Sequence, residues 1–255
     1  MVAYLKPAKF NDRFLIFPMF LNRFYSEIDG IVRNNADQAS SFAKDISGDF
    51  NPIHDPGNKY YCVPGDLLFA LVLAKYGVSQ SMQFTFTGMV RNGAELRFPD
   101  SPGDQFAITD QKDKTCLRVE RNGGINSNTN LIEQLIQKYV AFSGQNFPHI
   151  LVPLMAQHQV MVNPTRPLVI YDSMSITLDH LSLSGPSLEL TETTLEIAGR
   201  RAEARLQFKV YEDNKSIGTG CKKLVLSGLQ PYEEERVQEM SEIYLARRAT
   251  YQSAP

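Results

Sequence analysis

Within the segment Ser47-Gly48-Asp49-Phe50-Asn51-Pro52-Ile53-His54, a carboxylate and an imidazole stand five positions apart on a loop rich in turn-forming residues. Asn51 precedes Pro52, which biases its backbone to an extended conformation and gives the loop a fixed course. Such a loop can aim Asp49 and His54 at one water molecule. Together they can remove and deliver protons near neutral pH, as general acid–base catalysis needs. Asn51 can orient the carboxylate or bind part of a substrate. Further on, Cys62-Val63-Pro64-Gly65 leads into an apolar run. Gly65 falls where a helix begins, so its N–H has no intrahelical acceptor. Glycine lets a ligand come close, and the helix dipole favours negative charge there, such as a thioester carbonyl turning into an enolate. A purely structural reading competes: the same polar side chains would cap the preceding helix and satisfy buried backbone groups.

The elements that must hold these residues follow from pattern. Asn34-Asn35 can cap a helix over residues 36–47, whose Ala39, Phe42, Ala43 and Ile46 share one face, and Gly48 can end it. From Asp66 the chain runs LLFALVLAKYG, with no polar residue until Lys75. An amphipathic surface helix would show one every third or fourth place, so this helix must be buried on nearly all sides, with Gly77 as its stop. Strands are expected at residues 82–90, 94–98, 106–109 and 115–121, then at 173–178 and 188–197. Across residues 202–210 even positions are apolar and odd ones polar, as a sheet with one wet face requires. The chain returns over 216–226 with a bulge near Lys222-Lys223. Upstream, Phe24 to Val32 reads as extended with Gly30 a bulge or turn, and Phe14 to Leu21 as an early strand or cover segment. A curved antiparallel sheet around one buried helix is the architecture implied.

A repeat strengthens this. Residues 42–67 and 139–156 both carry Ser-Gly followed by Asn, Pro and His, then Val-Pro at the start of an apolar helix. The second copy has Gln145 where the first has Asp49. This points to a duplication, with chance likeness of two loop-to-helix junctions as the bland alternative.

Composition bounds the function. A chain of 255 residues with 43% apolar content and a net charge of -2 is globular, and it lacks the basic face that nucleic-acid backbones need. Cys62, Cys116 and Cys221 are odd in number and far apart, which argues against a disulfide framework or a metal pair and makes a reducing cytoplasm the default. No stretch reaches the roughly 20 apolar residues of a membrane span. Asn122 to Asn126 form a Gly-rich turn without the Lys-Ser/Thr of a phosphate loop. His149, His158 and His180 read as structural, and Cys62 has no His-Asp set to activate it. Pro231 to Tyr251 should form a helix charged to suit its dipole, a solvated appendage packing through Val237, Met240, Tyr244 and Leu245.

SGDFNPIH followed by a Gly-starting apolar helix resembles the MaoC-like, (R)-specific enoyl-CoA hydratase branch of the hotdog-fold superfamily, densely over residues 42–77 and elsewhere by strand pattern. The DFNPIHDP and CVPGDLLF wording also resembles an uncharacterised bacterial hotdog-like family without an established reaction. The hydratase resemblance implies an α+β tandem (double) hotdog, with Asp49 and His54 as catalytic pair and Asn51, Val63, Pro64 and Gly65 lining the substrate. It implies reversible addition of water to an enoyl thioester, giving an (R)-3-hydroxyacyl thioester. Tyr60 stands where the family has a small residue, and Pro64 replaces a second His, which touches the substrate channel more than the pair. The expected layout is an N-terminal hotdog at 1–122, a degenerate one at 123–228 and a helical tail at 229–255. The partner is a small acyl thioester, with neither metal nor separate cofactor, and two chains could associate. An acyl-CoA thioesterase on the same fold and a non-catalytic acyl-thioester-binding protein stay open as alternatives.

Overall fold

Asp29 and Gly30 take left-handed backbone angles (φ 52° and 74°), the pair that a tight hairpin needs. They fold Ser26–Ile28 (β1) back on Ile31–Arg33 (β2). The computed structural model describes residues 19–144 and 146–253. Phe14 to Pro18 of the expected cover segment therefore lie outside the described residues, as does Gln145. The rest of that segment corrects the strand option: Met19–Arg23 is a 3-10 turn, with Leu21 buried in the core.

Asn35 caps the first helix, Ala36–Ser41 (α1), through a reciprocal pair: its side chain accepts from the Gln38 N–H, and the Gln38 side chain accepts from the Asn35 N–H. The helix continues as a wider π-helical turn over Phe42–Ser47 and stops at Gly48 in the left-handed conformation (φ 66°). After the loop, Gly65–Tyr76 (α2) is buried from Asp66 through Ala74, as the unbroken apolar run demands. Each of its fully covered leucines contributes roughly 1.5–3 kcal/mol of burial. The sheet strands Val78–Phe86 (β3), Glu95–Arg97 (β4), Gln105–Thr109 (β5) and Thr115–Asn126 (β6) follow. Two expectations need correcting here. β3 starts directly after Gly77, and Asn122 to Asn126 continue β6 instead of turning, because Val78 pairs with Asn126.

The next helix, Thr129–Gly144 (α3), buries Ile132, Leu135, Ile136 and Tyr139 at helical spacing. A π-helical turn at Phe147–Leu151 leads into a short helix, Val152–Gln157 (α4), and a two-residue strand, Val160–Met161 (β7). Long strands close the chain: Leu168–Leu178 (β8), Ser187–Ala198 (β9), Arg201–Glu212 (β10) and Lys215–Ser227 (β11). Gln230–Pro231 (β12) pairs with β7, and Glu234–Gln252 (α5) ends the described chain.

One 10-stranded antiparallel sheet runs β1-β2-β4-β5-β6-β3-β8-β11-β10-β9, joined at its centre by β3 against β8. Counted from β2 the first set reads 1-3-4-5-2; counted from β7 the second reads 2-5-4-3, with its first strand displaced onto β12. This is the α+β tandem hotdog, a curved sheet around a buried central helix, with a C-terminal helix added. One apolar cluster surrounds α2 and runs on through α3 to Met174, Ile176 and Phe208 of the second strand set, and the other gathers Leu154, Met155, Leu206 and Leu226. Among the described residues no helix is long and apolar enough to cross a membrane.

Candidate active site

The left-handed Gly48 turns the chain out of its π-helical turn, and a set of local hydrogen bonds then fixes the loop. The Asn51 N–H donates to Asp49 Oδ1 at 2.9 Å, while Asn51 Oδ1 accepts from the Ile53 N–H and starts a 3-10 turn over Pro52–His54. Asn51 thus orients the carboxylate through its backbone, and its side-chain oxygen is taken up locally. The Cys62 N–H donates to Ile53 O, and His54 Nδ1 lies 2.7 Å from Cys62 O. A carbonyl only accepts, so Nδ1 carries a proton in every charge state of the ring. Nε2 is therefore the atom that titrates, and it lies 3.4 Å from Asp49 Oδ2.

That distance makes a long, weak contact, too short to admit a water between the groups but leaving both free to bind one beside them on the cavity side. The side chains are 26% and 13% exposed, Asp49 and His54 respectively, and they open onto a cavity of about 700 Å³. Burial pushes the Asp49 carboxyl up, but the His54 bond and charge, the Asn51 N–H and the Lys222 charge outweigh it and hold it below the usual range. Burial likewise pulls the His54 imidazole down, yet the Asp49 carboxylate, the Cys62 carbonyl and the Asp66 charge raise it overall. A neutral ring would aim its Nε2 lone pair at a carboxylate oxygen, so the pair rests as carboxylate and imidazolium.

Val63, Pro64 and Gly65 line the same cavity, and Pro64 precedes the first turn of α2. A Cβ on Gly65 would lie 2.9 Å from the Tyr171 ring and 3.1 Å from the Phe86 ring, so only glycine fits under this aromatic pair. Tyr60 does not line the cavity; it is 37% exposed and stacks under the Arg166 guanidinium. Burial pushes the Cys62 thiol up to about 11, which keeps it unreactive. His149 and His180 are exposed, and neither lies at the cavity.

Pattern reading overlooked a second charged set in the cavity wall. Lys222, Ser143 and Asp66 are buried together, with the Ser143 hydroxyl between the amine and the carboxylate. The available signal was phase: Lys222 occupies the inward register shared by Leu224 and Leu226 on β11.

The C-terminal helix also proved more than a solvated appendage, and Leu245 faces solvent. Phe50 is buried between the rings of Tyr244 and Tyr251, and the Tyr244 hydroxyl accepts from the Phe50 N–H at 3.0 Å. Arg247 pairs with Asp55 and donates to Phe50 O. α5 therefore clamps the loop that carries Asp49 and His54, because Phe50 needs an apolar cover that the sheet does not supply. Tyr244→Phe keeps the ring but orphans a buried N–H. It should cost about 1–3 kcal/mol in chemical denaturation and lower turnover by loosening the loop.

Comparison with known proteins adds three findings. The profile of a family described as “Protein of unknown function (DUF3581)” matches residues 19–235. No curated protein matches the sequence. Similar solved structures include the acyl-CoA thioesterase II TesB2 from Mycobacterium marinum, at 10% identity and a TM-score of 0.42, covering 84% of this chain and 100% of that one. A MaoC-like dehydratase follows at 9% identity and a TM-score of 0.38, covering 80% and 97%. The tesB protein of Mycobacterium avium subs paratuberculosis has 10% identity and a TM-score of 0.38, covering 66% and 89%.

Proposed function

The chain belongs to the DUF3581 family, and we propose that it processes acyl thioesters, adding water to an enoyl thioester through Asp49 and His54. The observation that carries this reading is the imidazolium–carboxylate pair at 3.4 Å, open to a cavity beside the first turn of a buried helix.

In the hydration direction a water held beside the pair loses a proton to the Asp49 carboxylate as its oxygen bonds to C3 of the enoyl group. The C2=C3 π electrons shift toward the thioester carbonyl, whose oxygen gains negative charge. The Gly65 N–H, at the positive end of α2, is the donor suited to that charge. Collapse of the enolate takes a proton from His54 Nε2 onto C2. Asp49 then returns its proton to Nε2 across the short gap, restoring the starting state with one water added. Dehydration is the same path reversed, and no metal or redox partner enters the balance.

The test follows both possible products with wild type and His54→Ala on crotonyl-CoA. Wild type should deplete the enoyl absorbance without releasing free thiol, and His54→Ala should be slower by about 10²–10⁴-fold. Free CoA thiol as the product would assign the site to thioester hydrolysis and overturn the hydratase reading. Ligand binding without turnover, unchanged in His54→Ala, would leave a binding protein.

A further inference from the structure

Lys222 is a buried cation, 4% exposed, on the inward face of β11. Its Nζ donates to Ser143 O at 2.8 Å and to Ser143 Oγ at 2.6 Å, and sits 4.4 Å from the centre of the Tyr171 ring. Ser143 Oγ in turn lies 2.8 and 2.7 Å from the two Asp66 carboxylate oxygens. Because the lysine supplies only donors, the hydroxyl must accept from it and pass its own hydrogen to Asp66. The chain amine–hydroxyl–carboxylate thus has one polarity. Its members come from β11, α3 and α2, and all three line the cavity that Asp49 and His54 face.

The arrangement serves no evident packing purpose, since an apolar pair would fill the same volume without burying charge. Its neighbours explain it. The titratable groups around Lys222 are Asp66 on α2, Asp49 and His54 on the loop, Tyr139 on α3 and Tyr171 on β8. The two tyrosine hydroxyls bond each other, and burial keeps both protonated. That leaves two carboxylates whose charges act on one imidazole, Asp49 in contact with it and Asp66 through space. We propose that Lys222 is a positioning residue for the acid–base pair: bound to Ser143, it neutralises Asp66 and so leaves Asp49 to hold the proton of His54. The inference rests on reading Asp49 and His54 as that pair. It gives the C-terminal half, which lacks the motif's acid, a part in the site. The Asp66 charge raises His54, and the Lys222 charge lowers both Asp49 and Asp66, although burial leaves Asp66 raised overall and pulls the Lys222 amine down.

The test reads the His54 imidazole directly by NMR titration, its resonance identified by loss in His54→Ala. It compares wild type with Lys222→Met, Asp66→Asn and the double variant. Lys222→Met should raise the His54 midpoint by about one pH unit, since Asp66 is no longer compensated. Asp66→Asn should lower it by a comparable amount, and the double variant should return near wild type. A midpoint unmoved in both single variants, or moved the same way in both, overturns the inference. Should Lys222→Met fail to fold, Asp66→Asn decides alone: a lowered midpoint supports the inference and an unmoved one overturns it. Because the titration needs no substrate, it separates this inference from the enoyl assay. An active enzyme with an unmoved midpoint loses only the role of Lys222.

Discussion

Asp49→Asn should lower enoyl-thioester turnover by about 10²–10⁴-fold while leaving the fold intact, because the amide is isosteric and its oxygen can still accept from the Asn51 N–H. What it loses is the charge. Without the carboxylate the water has no base, and His54 loses the main influence that raises it. The pH profile follows from the two directions. Asp49 lies below its ordinary 3.8 and His54 above its ordinary 6.5, so the competent carboxylate–imidazolium state spans the whole interval between them. Hydration by wild type should fall as pH rises through the raised His54 value, and fall again as pH drops through the lowered Asp49 value. Stability shares these limits. The His54 contribution is fully present below about 6.5 and is lost as pH rises through its folded value. The Asp49 contribution is present above about 3.8 and is lost as pH falls through its folded value. Denaturation of Asp49→Asn and wild type should therefore differ most near pH 6 and less at high pH, where the His54 share is lost and the Asn51 and Lys222 share remains. Turnover by Asp49→Asn within a few-fold of wild type would remove the carboxylate from the chemistry.

The central helix and the loop were legible because each is written in consecutive residues. An apolar run from Leu67 to Ala74 suits a buried strand as well as a buried helix, but its length and end signals decide for the helix, and Ser-Gly-Asp-Phe-Asn-Pro carries its own stop, turn and cap. The local pairing of Asp49 with His54 needed no information from elsewhere in the chain. Lys222 and Ser143 are different: each reads as ordinary until β11 is laid beside α2 and α3, contacts that span nearly eighty residues. Tyr244 is a sharper case. Its spacing on α5 correctly marked it as a packing residue, but its partner, the Phe50 N–H, is 194 positions away. Hydrophobic phase reveals that a residue is covered, whereas what covers it depends on topology. The turn expected at Asn122 to Asn126 failed for a related reason: the strand passes Gly123 (φ 81°) and Gly124 as a bulge, and the ladder with β3 resumes at Ile125 and Asn126.

The largest loss of stability should come from Gly144→Ala, where two elementary effects oppose each other. Alanine is the better helix former and restricts the unfolded chain, which together favour the variant by about 0.4–1 kcal/mol. Sterics oppose it far more strongly. A Cβ there would fall 2.0 Å from Ser47 O and 2.6 Å from Ser47 C, both main-chain atoms that no rotamer change can move. The last turn of α3 must therefore retreat from the residue that precedes Gly48 and Asp49. That retreat also strains the Tyr244 hydroxyl, which lies 3.4 Å from Gly48 O and 3.5 Å from Gly144 O. A net cost of about 3 kcal/mol is expected from overpacking a backbone contact. Ångström-scale displacement of Asp49 should reduce turnover by about 10²-fold in whatever fraction stays folded. Gly57→Ala is the matched control: nothing lies within 4 Å of its Cβ, and its midpoint should change by less than about 0.5 kcal/mol. If Gly144→Ala denatured like that control and kept full activity, α3 would not press on the loop, and its contact with Ser47 could not be what seats Asp49.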